Sequence, residues 1–337
     1  MKLSSPPTRY AFTSVIAAAM KYGPTRVSRI AYELDMPVET CRYYLKRFHN
    51  AGFRFFPVVD YWALGLQPCV LFIRFSKKID QTKQENIIRW LDAVYTVYRA
   101  RLQSLNEHYI ETVPPLNDVA KFELMMRMLM EADILDNFSL STVKTGYYKP
   151  EWIKMYDFSK NTWSSIIEYE IPKIPLTSGA GPSDFDLTDL LITSELELDP
   201  LSKMLEISNK HRISPQLISY HREKHVEGRR LIAGYIPLRR TKHEDMQIHL
   251  IYGQDDKWGS ELRQYLFKYS ELEHAHVVRL HIPVQFDIQH RRHLISSYVV
   301  SEPRIYTIPT EHLDADNKWT PLEKFVEQLE KIIKVVT

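Results

Sequence analysis

The chain has 337 residues and a net charge of +2, with 44% hydrophobic and 26% charged residues. This composition excludes a disordered, collagen-like or disulfide-scaffold chain, and the length predicts two to four domains. No apolar run reaches the roughly 18 residues that a membrane span needs. The first residues also lack the apolar core of a secretory signal. We therefore expect a cytoplasmic protein without a membrane partner.

Three short helices are predicted at the start of the chain, over residues 9–23, 25–35 and 37–52. Apolar residues recur three and four positions apart, as at Val27, Ile30 and Leu34 in the second helix. Gly52 stands where a helix C-cap belongs, and the aromatic run FRFFPVV after it predicts a strand. Cys41 and Cys69 provide neither a zinc ligand set nor a disulfide framework, so we expect two buried thiols.

The rest of the first half is predicted to alternate strands and helices in the order βαββαβ. The strands are predicted at residues 69–77, 95–104, 106–114 and 135–144, and the helices at 82–94 and 115–133. This order is typical of a ferredoxin-like sandwich. The methionine-rich run FELMMRMLMEA has helical spacing and predicts core packing rather than a ligand cluster.

The second half follows the run EIPKIPLTSGAGPSDFD, residues 170–186, whose prolines and glycines predict a boundary. Helices at 186–198, 199–211 and 214–228 and a strand at 231–238 then repeat the start of the chain, with Ser214 as N-cap and Pro215 at the first helical position. Aligning Cys41 with Ile218 places Phe48 on His225, which indicates an internal repeat. Strand, helix and strand follow at 245–253, 257–269 and 274–286, then strands at 295–300 and 304–308 and a closing helix at 321–336.

The predicted fold class is therefore α+β, with two tandem repeats. Each repeat is a winged helix-turn-helix followed by a ferredoxin-like α/β sandwich, and the second sandwich is degenerate. The predicted domains are 1–60 (first winged helix-turn-helix), 61–146 (first ferredoxin-like domain), 147–183 (linker or strap), 184–242 (second winged helix-turn-helix) and 243–337 (second ferredoxin-like domain).

Basic charge is concentrated in the two helical trios. Residues 1–60 carry nine basic and four acidic residues, and residues 201–242 carry ten and three, whereas residues 151–200 have a net charge of −7. A near-neutral chain with two basic modules is the pattern expected of a protein that binds a phosphate backbone.

The candidate DNA-binding residues lie on the second and third helices of each trio and just after them. Arginine can pair bidentately with guanine or phosphate, and glutamine can read adenine. The alternative for each is a solvated surface charge. The predicted set is Arg26, Arg29, Glu39, Thr40, Arg42, Tyr43, Lys46, Arg47, Arg54, Ser214, Gln216, Ser219, Tyr220, Arg222, Lys224, Arg229, Arg230, Arg239, Arg240 and Lys242.

The segments VSRIAYELDMPVETCRYYLKRFHNAGF, LGLQPCVLFIRF and ISPQLISYHREKHVEGRRLIAGYI resemble the Lrp/AsnC (feast/famine) transcription regulators of archaeal type. The resemblance implies a regulator that binds double-stranded DNA, with a small-molecule effector at the ferredoxin-like domains. Two units in one chain imply an intramolecular pseudo-dimer, with a homodimer of chains as an alternative. Pro37 stands where the family has a serine cap, and the family's glycine-rich effector loop is missing.

Two alternatives remain open. Siroheme decarboxylases share the architecture and rely on histidine and arginine around a tetrapyrrole, and this chain offers His274, His276, His281, His290 and His293. The tyrosine- and asparagine-containing signature associated with those enzymes is missing, and the basic reading helices favour a regulator. We therefore expect no enzyme activity, no cofactor and no metal site. The other alternative is an adaptor of the transcription machinery, with the aromatic segment 147–163 as a docking element.

Overall fold

The computed structural model describes residues 8–103, 107–177, 184–239, 246–254, 260–284, 297–306, 312 and 318–337. Its helices are α1 (Thr8–Tyr22), α2 (Val27–Glu33), α3 (Val38–Asn50), α4 (Gln81–Ala93), α5 (Val119–Glu131), α6 (Leu187–Leu198), α7 (Met204–His211), α8 (Pro215–His221) and α9 (Glu323–Val336). A π-helical segment, Arg222–Glu227, continues α8, and short 3-10 helices span Leu116–Asp118, Glu151–Met155 and Ser260–Tyr265. Within the described residues, we find no helix with the length and apolar character that crossing a membrane requires.

The strands fall into one large sheet and two small ones. They are β1 (Phe53–Val59), β2 (Cys69–Phe75), β3 (Thr96–Leu102), β4 (Glu107–Thr112), β5 (Leu135–Tyr148), β6 (Tyr156–Asp157), β7 (Thr162–Trp163), β8 (Ile174–Thr177), β9 (Ile232–Arg239), β10 (Met246–Gly253), β11 (Leu266–Leu272), β12 (His276–Pro283) and β13 (Ser297–Ile305).

A three-helix unit precedes each half of the large sheet along the chain: α1–α3 (the first unit) and α6–α8 (the second unit). Their helix starts follow the sequence signals: Ser214 accepts a hydrogen bond from the Leu217 amide, and Pro215 occupies the first turn of α8. Strand β1 follows the first unit and β9 follows the second. These two strands pair antiparallel, with Phe53 opposite Arg239. The two units are thereby joined directly.

The large sheet closes on itself. Its order is β11-β12-β10-β13-β3-β4-β2-β5, and β5 pairs in turn with β11. The four strands of the first half follow the order β3-β4-β2-β5, and those of the second half follow the equivalent order β11-β12-β10-β13. The halves meet edge to edge at β3–β13 and at β5–β11, and β8 adds to the outer part of β5. The mixed α/β content agrees with the predicted class. The strands of the two halves, however, form one closed ring and not two separate sheets.

Two sequence predictions need correction in this region. Residues 257–269 were expected to be one helix, but the described part contains a short 3-10 helix and then β11 from Leu266. Pairing with β5 on one side and β12 on the other satisfies the backbone of this segment, and that tertiary pairing overrides its helical periodicity. The boundary at 170–186 also contains β8, and Ile171, Ile174 and Leu176 are buried.

The aromatic segment 147–163 packs against the first unit. Trp152 stacks on Phe53 at 5.2 Å between ring centroids, and Phe158 stacks on Phe12 of α1 at 4.6 Å. Arg9 donates to the carbonyl of Lys154 at 2.8 Å. The segment therefore holds the first unit against the rest of the chain. Cys41 and Cys69 are buried and unbridged, as predicted.

Ring closure can be tested at Gly146 of β5, which faces Ser270 of β11. A Cβ at this position would lie 2.5 Å from the backbone oxygen of Tyr269, which is closer than any real Cβ contact. We expect Gly146→Ala to lower the free energy of unfolding by about 1–3 kcal/mol. The control is Gly253→Ala in β10, where an added Cβ meets nothing within 4 Å. Equal urea midpoints for the two variants would contradict the β5–β11 pairing.

Candidate ligand cavity and basic surfaces

A cavity of about 740 Å³ lies inside the closed sheet, and both halves of the chain contribute to its walls. Most of the lining side chains are apolar or aromatic, as is usual for small-molecule sites of about 300–1,000 Å³. The charged side chains among the described lining residues are Glu111, Glu197, Lys268 and Arg279.

Glu111 joins the two halves across the cavity. Its Oε1 accepts hydrogen bonds from the Arg279 guanidinium and from the Tyr109 hydroxyl, the latter at 2.8 Å. Its Oε2 accepts from Lys268 Nζ at 2.5 Å. Lys268 and Arg279 are directly opposite each other on β11 and β12, while Glu111 comes from β4 in the other half. The Arg279 guanidinium also lies 3.7 Å from the centroid of the Tyr98 ring.

The charges in this cluster do not cancel. Burial alone would raise the pKa of Glu111, but Arg279 and Lys268 lower it to about 2, so Glu111 is ionised at neutral pH. Burial opposes the positive charge of Lys268, yet Glu111 keeps the Lys268 pKa above its ordinary value. One carboxylate thus faces two cations, which leaves one excess positive charge in a buried site and favours an anionic ligand.

Three buried polar atoms on the cavity walls have no hydrogen-bond partner among the described residues. They are the Tyr98 hydroxyl, Arg279 Nε and His281 Nε2. His281 stacks on Phe267 at 3.8 Å between ring centroids. Burial, together with Arg279, holds the pKa of His281 well below its ordinary value, so the imidazole is neutral. Buried polar groups normally have partners, so these atoms are candidates for ligand contacts.

Glu197, half-buried at the end of α6, is the second carboxyl group of the cavity. Among the described residues, none forms a hydrogen bond or an ion pair with its carboxyl group. Burial raises the pKa of Glu197 to about 8. Glu197 is therefore protonated at neutral pH, when Glu111 is not, and a pair of carboxyl groups with separated pKa values is typical of acid–base sites.

A second cavity of about 610 Å³ adjoins the first, and Phe56 and Leu198 belong to both. Four basic side chains line it: Arg42, Lys46, His49 and Arg54. Arg42, Lys46 and Arg54 belong to the predicted DNA-binding set, and the structure brings them to the same recess beside the large cavity.

The other predicted DNA-binding residues have different surroundings in the structure. The exposed ones are Arg29, Glu39, Tyr43, Ser214, Gln216, Ser219, Tyr220, Lys224 and Arg230. The half-buried ones are Arg26, Thr40, Arg47 and Arg229. The side chain of Arg239 and the whole of Arg240 and Lys242 lie outside the described residues.

Arg222 departs from its expected surface position. It is buried, donates through Nε to Glu227 at 2.9 Å, and donates to the Thr25 hydroxyl of the first unit at 2.9 Å. Arg26 likewise bridges to Glu227 at 2.7 Å. These two arginines join the three-helix units to each other, because β1 and β9 bring the units into contact. Their guanidinium groups are engaged in these contacts between the units.

The histidines considered as candidate tetrapyrrole contacts lie in different parts of the structure. His281 lines the large cavity, His276 is buried beside Tyr269, and His274 is exposed in the turn before β12. The strand β12 begins only at His276, so His274 precedes it. His290 and His293 lie outside the described residues.

The central cluster of Glu111, Lys268, Arg279 and Tyr98 was not among the residues predicted from the sequence to form a site. One signal was available: charged residues stand inside runs of strand residues, as in EHYIET and HVVRLHIP. A charge in a buried strand is unusual and requires a partner. The sequence does not show which charges meet, because Glu111 and Arg279 are 168 positions apart.

No family model matches the sequence, and no curated protein matches it. Among solved structures, siroheme decarboxylase NirDL in complex with an iron-uroporphyrin III analogue is similar over 98% of this chain and 100% of its own, with TM-score 0.52 and 10% identity. NirDL in a second structure gives TM-score 0.51 and 11% identity over 96% and 99%. E. coli AsnC is similar over 40% of this chain and 90% of its own, with TM-score 0.30 and 13% identity.

These matches correct one prediction. The chain was expected not to be an enzyme, but the solved structures that match it along nearly its full length are of an enzyme. At 10–11% identity the likeness shows the fold alone. The chain therefore has a mixed α/β fold similar to that of siroheme decarboxylase NirDL.

Proposed function

We propose that this chain is an enzyme that binds a carboxylate-bearing tetrapyrrole inside the closed sheet and removes a side-chain carboxylate, as a siroheme decarboxylase does. The observation that carries the proposal is the large cavity with its excess buried positive charge. A planar macrocycle matches the predominantly apolar walls, and its carboxylates match Arg279 and Lys268. The fold shared with NirDL supports the proposal.

The neighbouring basic recess fits the same type of ligand. A uroporphyrin-type tetrapyrrole carries carboxylates around its rim, and some of them must point away from the cluster at Glu111. Arg42, Lys46 and Arg54 line the recess that adjoins the cavity at Phe56 and Leu198. Their charge concentration, which suggested a phosphate-binding surface, is equally suited to these outer carboxylates.

The chemical step requires a proton. The bond between a side-chain carbon and its carboxylate breaks, CO₂ leaves, and the electron pair stays on the carbon, which then takes up one proton. Glu197 keeps its proton at neutral pH and lines the cavity, so we assign it as the proton donor, with water restoring the proton afterwards. His281 is neutral and buried, and its free Nε2 provides a hydrogen-bonding contact.

The architecture under this proposal consists of two tandem units, each a winged helix-turn-helix and a ferredoxin-like domain, joined as an intramolecular pseudo-dimer. The equivalent strand orders of the two halves and the β1–β9 pairing support it. The domain limits stay as given from the sequence. A DNA-binding role remains the second candidate, supported by exposed Tyr43, Gln216 and Tyr220 on α3 and α8. Steeply salt-dependent binding to duplex DNA would favour it.

Titration of the purified full-length protein with iron-uroporphyrin III tests the main proposal. We expect a shifted Soret band for the wild type and binding weaker by about 10- to 100-fold for Arg279→Gln, because a charge-assisted hydrogen bond in a buried site is lost. Lys144→Gln, at an exposed position on β5, is the matched control and should bind like the wild type. Mass spectrometry of the extracted tetrapyrrole then reports loss of CO₂. No Soret change, or equal affinities for all three proteins, would refute the site.

A further inference from the structure

We propose that Asp186, Asp189, His221 and His225 form a binding site for a divalent transition metal ion, with Zn²⁺ the best match. The site lies in the second unit and does not depend on the tetrapyrrole proposal. One ligand atom from each of the four side chains lies within 4.8 Å of all the others. His221 and His225 lie one helical turn apart on the same face of the segment that begins with α8, and Asp186 and Asp189 lie at the start of α6.

A single carboxylate is the focus of the cluster. His221 Nδ1 lies 2.8 Å from Asp189 Oδ1, and His225 Nδ1 lies 3.0 Å from Asp189 Oδ2. His221 Nδ1 is also 3.6 Å from Asp186 Oδ1. Asp189 is fully buried and His221 is buried as well. Both imidazoles thus direct Nδ1 to the same carboxylate, one to each oxygen, which brings the ligand atoms that one ion would need close together.

Comparison of the two three-helix units shows that this polarity is specific to the second. Helix α3 begins at Val38, and α8 begins at Pro215, 177 positions later; α3 ends at Asn50, and the π-helical segment ends at Glu227, again 177 positions later. The same shift places three aromatic core residues onto the ligand candidates: Phe12 onto Asp189, Tyr44 onto His221 and Phe48 onto His225. In the first unit Phe12 and Tyr44 pack at 5.0 Å, and Phe48 is fully buried.

An aromatic core therefore suffices for this three-helix unit, and the second copy has a buried carboxylate and two imidazoles in its place. Burying such groups is costly unless they gain strong partners, and a metal ion is the strongest partner available to them. The local backbone is also unusual. Arg222–Glu227 is π-helical, although the corresponding part of α3 is regular, and π-helical turns occur often at functional sites.

The ligand set indicates the type of ion. Imidazole nitrogen and carboxylate oxygen suit Zn²⁺, which prefers four ligands in tetrahedral geometry. Ligand atoms around tetrahedral Zn²⁺ lie about 3.3 Å apart, given bonds of about 2.0–2.2 Å. The observed separations between 2.8 and 4.8 Å bracket that value. Small side-chain rotations would complete the site, with each neutral imidazole carrying its proton on Nε2 so that Nδ1 is free to bind the ion.

A cobalt titration tests the proposal. The full-length protein is treated with a chelator, desalted and titrated with Co²⁺, whose visible d–d bands report tetrahedral coordination, and Zn²⁺ is then added as competitor. We expect one Co²⁺ per chain, displaced by Zn²⁺. His221→Gln and His225→Gln should each weaken binding by at least about 10-fold. His211→Gln in α7, whose ring pairs with Glu195 at 2.9 Å outside the cluster, is the control and should bind Co²⁺ normally.

Asp186→Asn covers the case in which a histidine variant does not fold. Asparagine caps a helix as well as aspartate does, so α6 should keep its N-cap while the ion loses a charged ligand. Melting curves of all variants in chelator establish that each is folded before metal is added. Absence of Co²⁺ binding by the wild type, or unchanged affinity in the folded variants, would show that the cluster is only a buried hydrogen-bonded core and would overturn the proposal.

Discussion

Replacing Glu111 with alanine is expected to lower the free energy of unfolding by about 3–5 kcal/mol. Glu111 is the only carboxylate that contacts Arg279 or Lys268 among the described residues, and all three side chains are nearly inaccessible to solvent. Without Glu111, two like charges remain buried next to each other. The folded state is destabilised because the two cations repel each other and no longer have a carboxylate that compensates for their burial. Urea unfolding at pH 7 measures the change in the free energy of unfolding.

Glu107→Ala is the matched comparison on the same strand. Glu107 pairs with Arg74, a side chain that is 47% exposed, and such pairs contribute about 0–1 kcal/mol. The contribution of Glu111 also has a defined pH range. Its folded-state pKa of about 2 lies below the ordinary value of 4.5, so its stabilisation is present above pH 4.5 and is lost as the pH falls toward 2. Equal destabilisation by the two substitutions would contradict the buried cluster.

The local elements could largely be predicted from the sequence. Helices with a strong periodicity and clear capping residues, such as α3 before Gly52 and α8 after Ser214, lie within a few residues of their predicted positions. These signals are local, because capping and amphipathicity depend on neighbours within about two helical turns. The strands of the first half could be predicted because the aromatic and β-branched residues that indicate a strand are also a local signal.

The site could not be predicted, because its parts come from pairings between distant strands. Glu111 meets Lys268 across 157 positions, and the ring closes only where β5 meets β11. The basic residues Arg42, Lys46 and Arg54 were recognised as a cluster, but their position in the recess beside Leu198 depends on the contact between the two units. Local sequence shows the charge, and only the tertiary structure shows that it faces a cavity.

The same reasoning separates the two functional candidates. A DNA-binding surface requires exposed cations, whereas Arg222 and Arg26 hold the two units together and Arg279 and Lys268 are buried. Among the described residues, some basic side chains thus lie in the internal site, some connect the two units, and others are exposed. The ligand proposed above, with an apolar plane and peripheral carboxylates, would use the internal site and the adjoining recess together, whereas phosphate backbone contacts would not.

Glu197→Gln is expected to abolish the fall in stability that the wild type shows between pH 4.5 and pH 8. The folded-state pKa of Glu197 is about 8, above its ordinary value of 4.5, because desolvation at this half-buried position disfavours the charged carboxylate. Its contribution is therefore fully present below pH 4.5 and is lost as the pH rises through 8. Glutamine resembles the neutral carboxyl group of Glu197 and does not ionise. The variant should therefore be more stable than the wild type at pH 8 by about 3–5 kcal/mol.

The difference between wild type and variant isolates Glu197 from the other titrating groups. His281 and His108 have lowered pKa values and increase stability as the pH rises, but they do so in both proteins. Urea unfolding at several pH values from 5 to 8.5 gives the difference directly. If it stays constant across this range, Glu197 is ionised in the folded protein at neutral pH. It then cannot deliver the proton that decarboxylation requires, and another cavity group must do so.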